Sequence, residues 1–110
     1  MIRVDYLPEI IRYLKELTTV LYEKGYFSFP ETAKEYVDKL TFDIEINIAS
    51  KSKKIAPRHF AKYGKGMYYI TYKPNKRTTW YIFFNHKDNR YLIRYITNNH
   101  VSAQYIRGLK

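Results

Sequence analysis

The chain has no cysteine, only four glycines and four prolines in 110 residues, and a single acidic residue beyond position 50. Without cysteine it can form neither a disulfide nor a thiolate zinc site, which fits a reducing compartment. The scarcity of glycine and proline, together with 45% hydrophobic residues, excludes a low-complexity chain and points to a globular one. No internal repeat is present. Residues 1–110 read as one domain, long enough for a modest core and too short for two.

Long apolar runs are missing too. The longest, Trp80-Tyr81-Ile82-Phe83-Phe84, falls far short of the roughly 20 residues that span a bilayer. Met1-Ile2-Arg3-Val4-Asp5 puts an acid where a signal peptide needs apolar residues. The expectation is a cytoplasmic protein that makes no membrane contact.

What replaces the missing acids is positive charge. Nine of the ten acidic residues lie in 1–50 and only Asp88 lies beyond, whereas fourteen of the twenty Lys and Arg fall in 51–110. A surface of one sign concentrates polyanions, so a nucleic acid or a strongly acidic protein is the natural partner. Twelve of the twenty aromatic residues share that half. Bases can therefore stack where phosphates are neutralised.

Along the chain, Ile2, Val4 and Tyr6 alternate with Arg3 and Asp5, the pattern of a short strand with one buried face. Pro8 suits the first turn of a helix, behind which Ile10, Leu14, Leu17 and Leu21 recur on one side. Gly25 is placed to end that helix. Ser28-Phe29-Pro30-Glu31 reads as a capping box, with Ser28 and Glu31 satisfying the first backbone donors of a second helix. Beyond it two templates fit. Ala33, Val37, Leu40, Ile44 and Ile48 make a helical stripe, while Phe42, Ile44, Ile46 and Ile48 alternate like a strand. Helix is preferred, because no turn residues separate Glu31 from Ser50. The two helices form an antiparallel hairpin whose outer face carries most of the acids.

From Lys51 to Lys65 there is no acid, and Lys51, Lys53, Lys54, Arg58, His59, Lys62 and Lys65 crowd together in what reads as a basic connector. Three segments of strand composition follow, Met67–Lys73, Thr78–Asn85 and Tyr91–Thr97. Short links, Pro74-Asn75-Lys76 and His86-Lys87-Asp88-Asn89, make them an antiparallel meander. Residues after Asn98-Asn99-His100 form a short helix or a tail. The whole is α+β: a strand, a helix hairpin, then three antiparallel strands, with the helices on one face and the first strand completing the sheet.

The run Lys65-Gly66-Met67-Tyr68-Tyr69-Ile70-Thr71-Tyr72, then Arg77-Thr78-Thr79-Trp80-Tyr81-Ile82-Phe83-Phe84, then Tyr91-Leu92-Ile93-Arg94-Tyr95-Ile96-Thr97-Asn98-Asn99-His100, set behind a helix hairpin, resembles the RelE/ParE toxin superfamily. The likeness covers nearly the whole chain in element order and, in residues, the stretch from Lys65 to His100. It implies a bacterial toxin of a toxin–antitoxin pair, held in check by a small acidic antitoxin. Some members cut mRNA in the ribosomal A site; others, on the same fold, poison gyrase.

Metal-free RNA cleavage needs a base for the 2′-hydroxyl proton, an acid for the leaving 5′-oxygen and fixed cations for the phosphorane oxygens. The resemblance implies that Arg and Lys on the sheet, with a Tyr or His near the C-terminus, supply them. Arg77 opens the third strand near the family's phosphate-binding Arg. His100 and Tyr105 follow the last strand, where the acid or base sits, and Arg94 adds charge from within that strand, opposite to Ile93 and Tyr95. Lys51, Lys53, Lys54, Arg58, Lys62, Lys65 and Lys76 are the candidate nucleic-acid contacts, or the seat of an acidic antitoxin segment.

Each has a plainer alternative: Arg77 as a solvated turn charge beside Lys76, His100 as the close of a loop, Tyr105 as a packed ring, and Arg94 as a snorkelling or ion-paired side chain. Tyr68, Tyr72, Trp80, Phe83 and Tyr91 read mostly as core. His59 and His86 have no ligand spacing, so no metal is expected. Gly64-Lys65-Gly66 is a lone G-x-G without a nucleotide fingerprint's context, so no cofactor is expected either.

Three functions stay in competition: an endoribonuclease toxin acting on ribosome-bound mRNA, a non-enzymatic toxin that inhibits DNA gyrase, and a basic nucleic-acid-binding module. The last would leave growth unaffected when expressed and would bind with an affinity that falls steeply as salt rises.

Overall fold

Proline sets where both long helices begin. In the computed structural model, which describes residues 1–102, α1 (Pro8–Glu23) and α2 (Pro30–Asn47) each carry proline at the first helical position. There the missing N–H costs nothing and the fixed φ is already helical. The capping box is therefore not formed: Pro30 assigns the N-cap to Phe29, one residue past Ser28, and no side chain caps the helix. Glu31 still sits in the first turn, where its charge suits the helix dipole. Helix α1 ends as its glycine predicts. Gly25 adopts φ +78°, its N–H donates to the Tyr22 carbonyl at 3.0 Å, and Tyr26 N–H reaches back to Leu21 at 3.1 Å. That pair of bonds is a Schellman motif.

The region that fits both templates is helical to Asn47. Ala33, Val37, Leu40, Ile44 and Ile48 are buried, whereas Phe42 and Ile46, 67% and 61% exposed, face outward. The strand-like alternation in this stretch came from those two exposed residues.

The sheet has five strands in the order β1-β5-β4-β3-β2: β1 (Arg3–Tyr6), β2 (Lys54–Ile55), β3 (Tyr68–Tyr72), β4 (Trp80–Lys87) and β5 (Arg90–Asn98). It is mixed. Strand β1 runs parallel to β5, with Arg3 opposite Arg90 and Tyr6 opposite Ile93, and the other pairs are antiparallel. Between β4 and β5 the link is two residues, with Asp88 at φ +54°, the left-handed conformation that such tight hairpins use.

Strand β4 is central and buried on both faces. Trp80, Ile82 and Phe84 join Ile10, Leu14 and Leu17 of α1 and Val37, Leu40 and Ile44 of α2 in the larger core. Tyr81 and Phe83 point the other way, into a second cluster with Phe60, Met67 and Tyr69. Here the basic connector differs from the reading of the sequence. Within 51–65 the chain adds β2 to the sheet's edge and then forms a 3₁₀ helix, Arg58–Tyr63. Its Phe60, 1% exposed, stacks on Phe83 at 4.4 Å. The segment covers the sheet's second face, so α1 and α2 alone take one face and a cationic cap takes the other.

The Tyr69 hydroxyl lies buried in that second cluster without a hydrogen-bond partner. No helix among the described residues is long and apolar enough to cross a membrane. Two substitutions separate cap from connector. Phe60→Ala should lower unfolding stability by about 3–5 kcal/mol in a urea titration, as for a core aromatic. Tyr69→Phe, which removes the unpaired hydroxyl, should leave stability unchanged or raise it by about 1 kcal/mol.

Candidate nucleic-acid interface

Three asparagines build the corner where the β3–β4 loop meets the end of β5. Asn75 Oδ1 accepts the N–H groups of Arg77 and Thr78, both at 2.9 Å, which folds the loop back on itself. Asn98 Oδ1 accepts those of His100 (2.9 Å) and Val101 (3.1 Å), starting the single turn of α3 (Asn99–Ser102). Asn99 joins the two. Its Oδ1 accepts the Thr79 N–H at 2.9 Å, its Nδ2 donates to the Arg77 carbonyl at 3.0 Å, and its own N–H donates to the Thr79 carbonyl at 3.1 Å.

These bonds bring together two of the four residues assigned catalytic roles. Thr78 Oγ1 lies 3.0 Å from His100 Nε2, next to Arg77, and Arg77, Lys76 and His100 are all exposed. The asparagines thus close the loop and at the same time present His100. Tyr105, the fourth candidate with Arg94, lies outside the described residues.

Arg94 is elsewhere. The register between β4 and β5 shifts at Phe83/Phe84: Phe83 opposes Tyr95 and Phe84 opposes Ile93, which leaves Arg94 as the extra residue of a β-bulge. Ile93 therefore joins the helix-side core and Tyr95 the second cluster, on opposite faces, where simple alternation had put them together. Arg94 goes with the 3₁₀ segment, its Nε donating to the Tyr63 carbonyl at 2.7 Å. Gly64 is needed beside it, because a Cβ there would overlap the Arg94 side chain. From Arg94 to Asn98 the strand advances on the order of 13 Å. The guanidinium holds the cap to the sheet and is not part of the Arg77–His100 corner.

The remaining cations divide in the same way. Lys51 is committed to the fold: its Nζ donates to Asp43 at 2.6 Å and to the Thr71 carbonyl at 2.7 Å, with both charged side chains largely shielded. Lys53 lies over the Tyr68 ring at 5.4 Å and Lys62 over Tyr63 at 5.4 Å, and both lysines are exposed. Lys54 begins the edge strand β2, while Arg58 and Lys65 are exposed on the cap. The candidate nucleic-acid contacts thus fall into three groups: the corner, the cap and the β2 edge.

Tyrosines surround the cap. The rings of Tyr63 and Tyr95 stack at 3.7 Å, and burial first, then the hydrogen bond to Tyr63, pushes the Tyr95 phenol above its ordinary range. Burial likewise raises Tyr69, Tyr72 and Tyr81, and raises Tyr13 to about 12 with help from Tyr95. Tyr6 is raised by burial and by Glu45, which accepts its hydroxyl at 3.1 Å. Phenols held this firmly neutral are poor proton donors near pH 7. Imidazole is the side chain most often used for proton transfer, and the corner carries one, His100. Among the described residues no three His, Cys, Asp or Glu are grouped to hold a metal ion. His59 packs edge-on against Phe60 and His86 stacks on Tyr91.

A further feature escaped the sequence. Between the helix hairpin's tip and the corner lies a cleft of about 930 Å³, lined by aromatic residues including Tyr26, Tyr36, Tyr72 and Trp80, and reaching His100. Its signal was Tyr26-Phe27-Ser28-Phe29, an aromatic-rich turn between two helices. No family model, no curated protein and no solved structure matches the chain.

The raised phenols fix a pH dependence. An unfolded tyrosine ionises near about pH 10, below the buried ones, so above that pH the unfolded state loses protons first. Stability from these groups is complete below about pH 10 and is lost as pH climbs through the folded values, Tyr13's being about 12. Urea midpoints measured from neutral to strongly alkaline pH should stay level with respect to the tyrosines until about pH 10 and then fall.

Proposed function

We propose that the chain is a RelE/ParE-type toxin that cuts mRNA at the ribosome by metal-free acid–base chemistry. The observation that carries this reading is the 3.0 Å contact of Thr78, the residue after the exposed Arg77, with the His100 imidazole, on a corner where no acid is present in the flanking sequence. With His100 Nε2–H donating to Thr78 Oγ1, Nδ1 is the proton acceptor. It takes the 2′-hydroxyl proton as that oxygen attacks phosphorus, and the 5′-oxygen leaves with a proton from Tyr105, giving a 2′,3′-cyclic phosphate. The Arg77 guanidinium, with Lys76 beside it, holds the non-bridging oxygens as charge builds on them.

The element order and strand pairing also support this reading, a helix hairpin between a first strand and the last strand it runs parallel to. The toxin's partner is an acidic antitoxin whose partly apolar segment folds on the cationic surface. One observation favours the gyrase-directed alternative: among the described residues His100 is the one imidazole at the corner, and no second acid–base group stands beside it.

Induction of the chain alone in bacteria, with mRNA ends and plasmid supercoiling mapped together, tests both. Growth arrest with new mRNA ends is expected, and His100→Ala should slow cutting on the order of 10²–10⁴-fold. An Arg77→Ala, His100→Ala double variant that cuts like wild type removes the site. Lost supercoiling with intact mRNA selects gyrase.

A further inference from the structure

We propose that the cleft between the helix hairpin and the corner binds one unpaired nucleobase of a single-stranded RNA, with the adjoining phosphate at the Arg77–His100 lip. The proposal rests on reading the corner as an RNA-cleaving site, and it says where the substrate's base is held. Size comes first. A cleft of about 930 Å³ falls at the upper end of the roughly 300–1,000 Å³ of small-ligand sites, ample for a nucleoside.

Its chemistry is that of a base pocket. Tyr26, 70% exposed, and the half-buried Tyr72 present rings to the cleft, and every base has a π-face that stacks on such rings regardless of sequence. Lys24, Lys39 and His100 bring cationic or protonatable groups to the lining, against Glu16 as the one acid among the described lining residues. That balance favours a polyanion over an acidic-face or neutral ligand. Asn75 and Asn98 also line the cleft, and since their Oδ1 atoms accept backbone N–H groups, each offers a ligand its Nδ2 donors. The two sites are continuous. His100 lines the cleft and meets Thr78, so a base inside and a phosphate at the lip belong to neighbouring positions of one strand.

Two features hold the pocket open and make it observable. The Gly25 turn fixes the tip that carries Lys24 and Tyr26. Trp80, buried in the lining, donates from Nε1 to the Tyr36 hydroxyl at 3.0 Å. It is the chain's single tryptophan, so its fluorescence reports on this cleft alone.

The test titrates the full chain with a short single-stranded oligonucleotide carrying 2′-O-methyl groups, which lacks the hydroxyl that would attack and so cannot be cut. A saturable change in Trp80 emission is expected. Tyr26→Ala, an exposed side chain whose loss leaves the Schellman bonds intact, should weaken binding about five- to hundredfold. An abasic oligomer of the same length should leave the emission unchanged. The proposal is overturned if the abasic oligomer acts equally, if Tyr26→Ala binds like wild type, or if an acidic peptide changes the emission and the oligonucleotide does not. Emission that depends on protein concentration would assign the cleft to a second copy. A ligand-free shift on Leu109→Ser would assign it to residues 103–110. Either result also overturns it. Base-dependent binding without mRNA cutting would leave the pocket standing and remove the nuclease. Cutting without any emission change on oligonucleotide binding would do the reverse.

Discussion

Burial of β4 on both faces is the constraint on which the rest of the molecule depends. From Trp80 to Phe84 every side chain is buried, alternately toward the helix hairpin and away from it. A strand of this kind needs two covers, and the described residues hold one helix hairpin to give. The second cover comes from the most cationic stretch in the sequence, through Phe60 and Met67. Positive charge arrives on the sheet's far side because an aromatic anchor within it has to be buried. Arg94 secures that cover by turning a bulge residue onto the Tyr63 carbonyl.

Local chemistry made much of the fold legible. The prolines at 8 and 30, the glycine at 25 and the helical stripe through Ile44 each act within one turn of chain, and each reads correctly or nearly so. The capping box at Ser28 misled because two local signals competed, and proline, with its fixed φ, decided the register of the helix. The segment 51–65 misled for a different reason. Its lysines dominate the composition, and nothing local announces that Phe60 will find Phe83. Long-range pairing also explains Arg94, since a bulge depends on the opposing strand and breaks the alternation that a single strand's sequence implies.

The corner is a similar case. Arg77 and His100 were each visible as candidates, yet what joins them is Asn99, bonded to Thr79 and Arg77 across the end of the sheet. An asparagine that closes a loop and one that assembles a site look alike in sequence. Lys51 shows the converse: it looked like a surface cation, yet Asp43 on the last turns of α2 takes it into an ion pair and the Thr71 carbonyl of β3 accepts a second bond from it. The aromatic cleft arises where two helices and three strands converge, so no single segment could display it.

The parallel contact of β1 with β5 has a consequence for how the molecule is made. Arg3 and Tyr6 take as partners Arg90 and Ile93, and contacts so distant along the chain carry a large loop-closure cost that folding defers. Of the five described strands β1 comes first in the chain and its partner β5 last. Until β5 has been made the ladder groups of β1 stand open, and the nascent polypeptide presents an unmatched margin that only that strand can close.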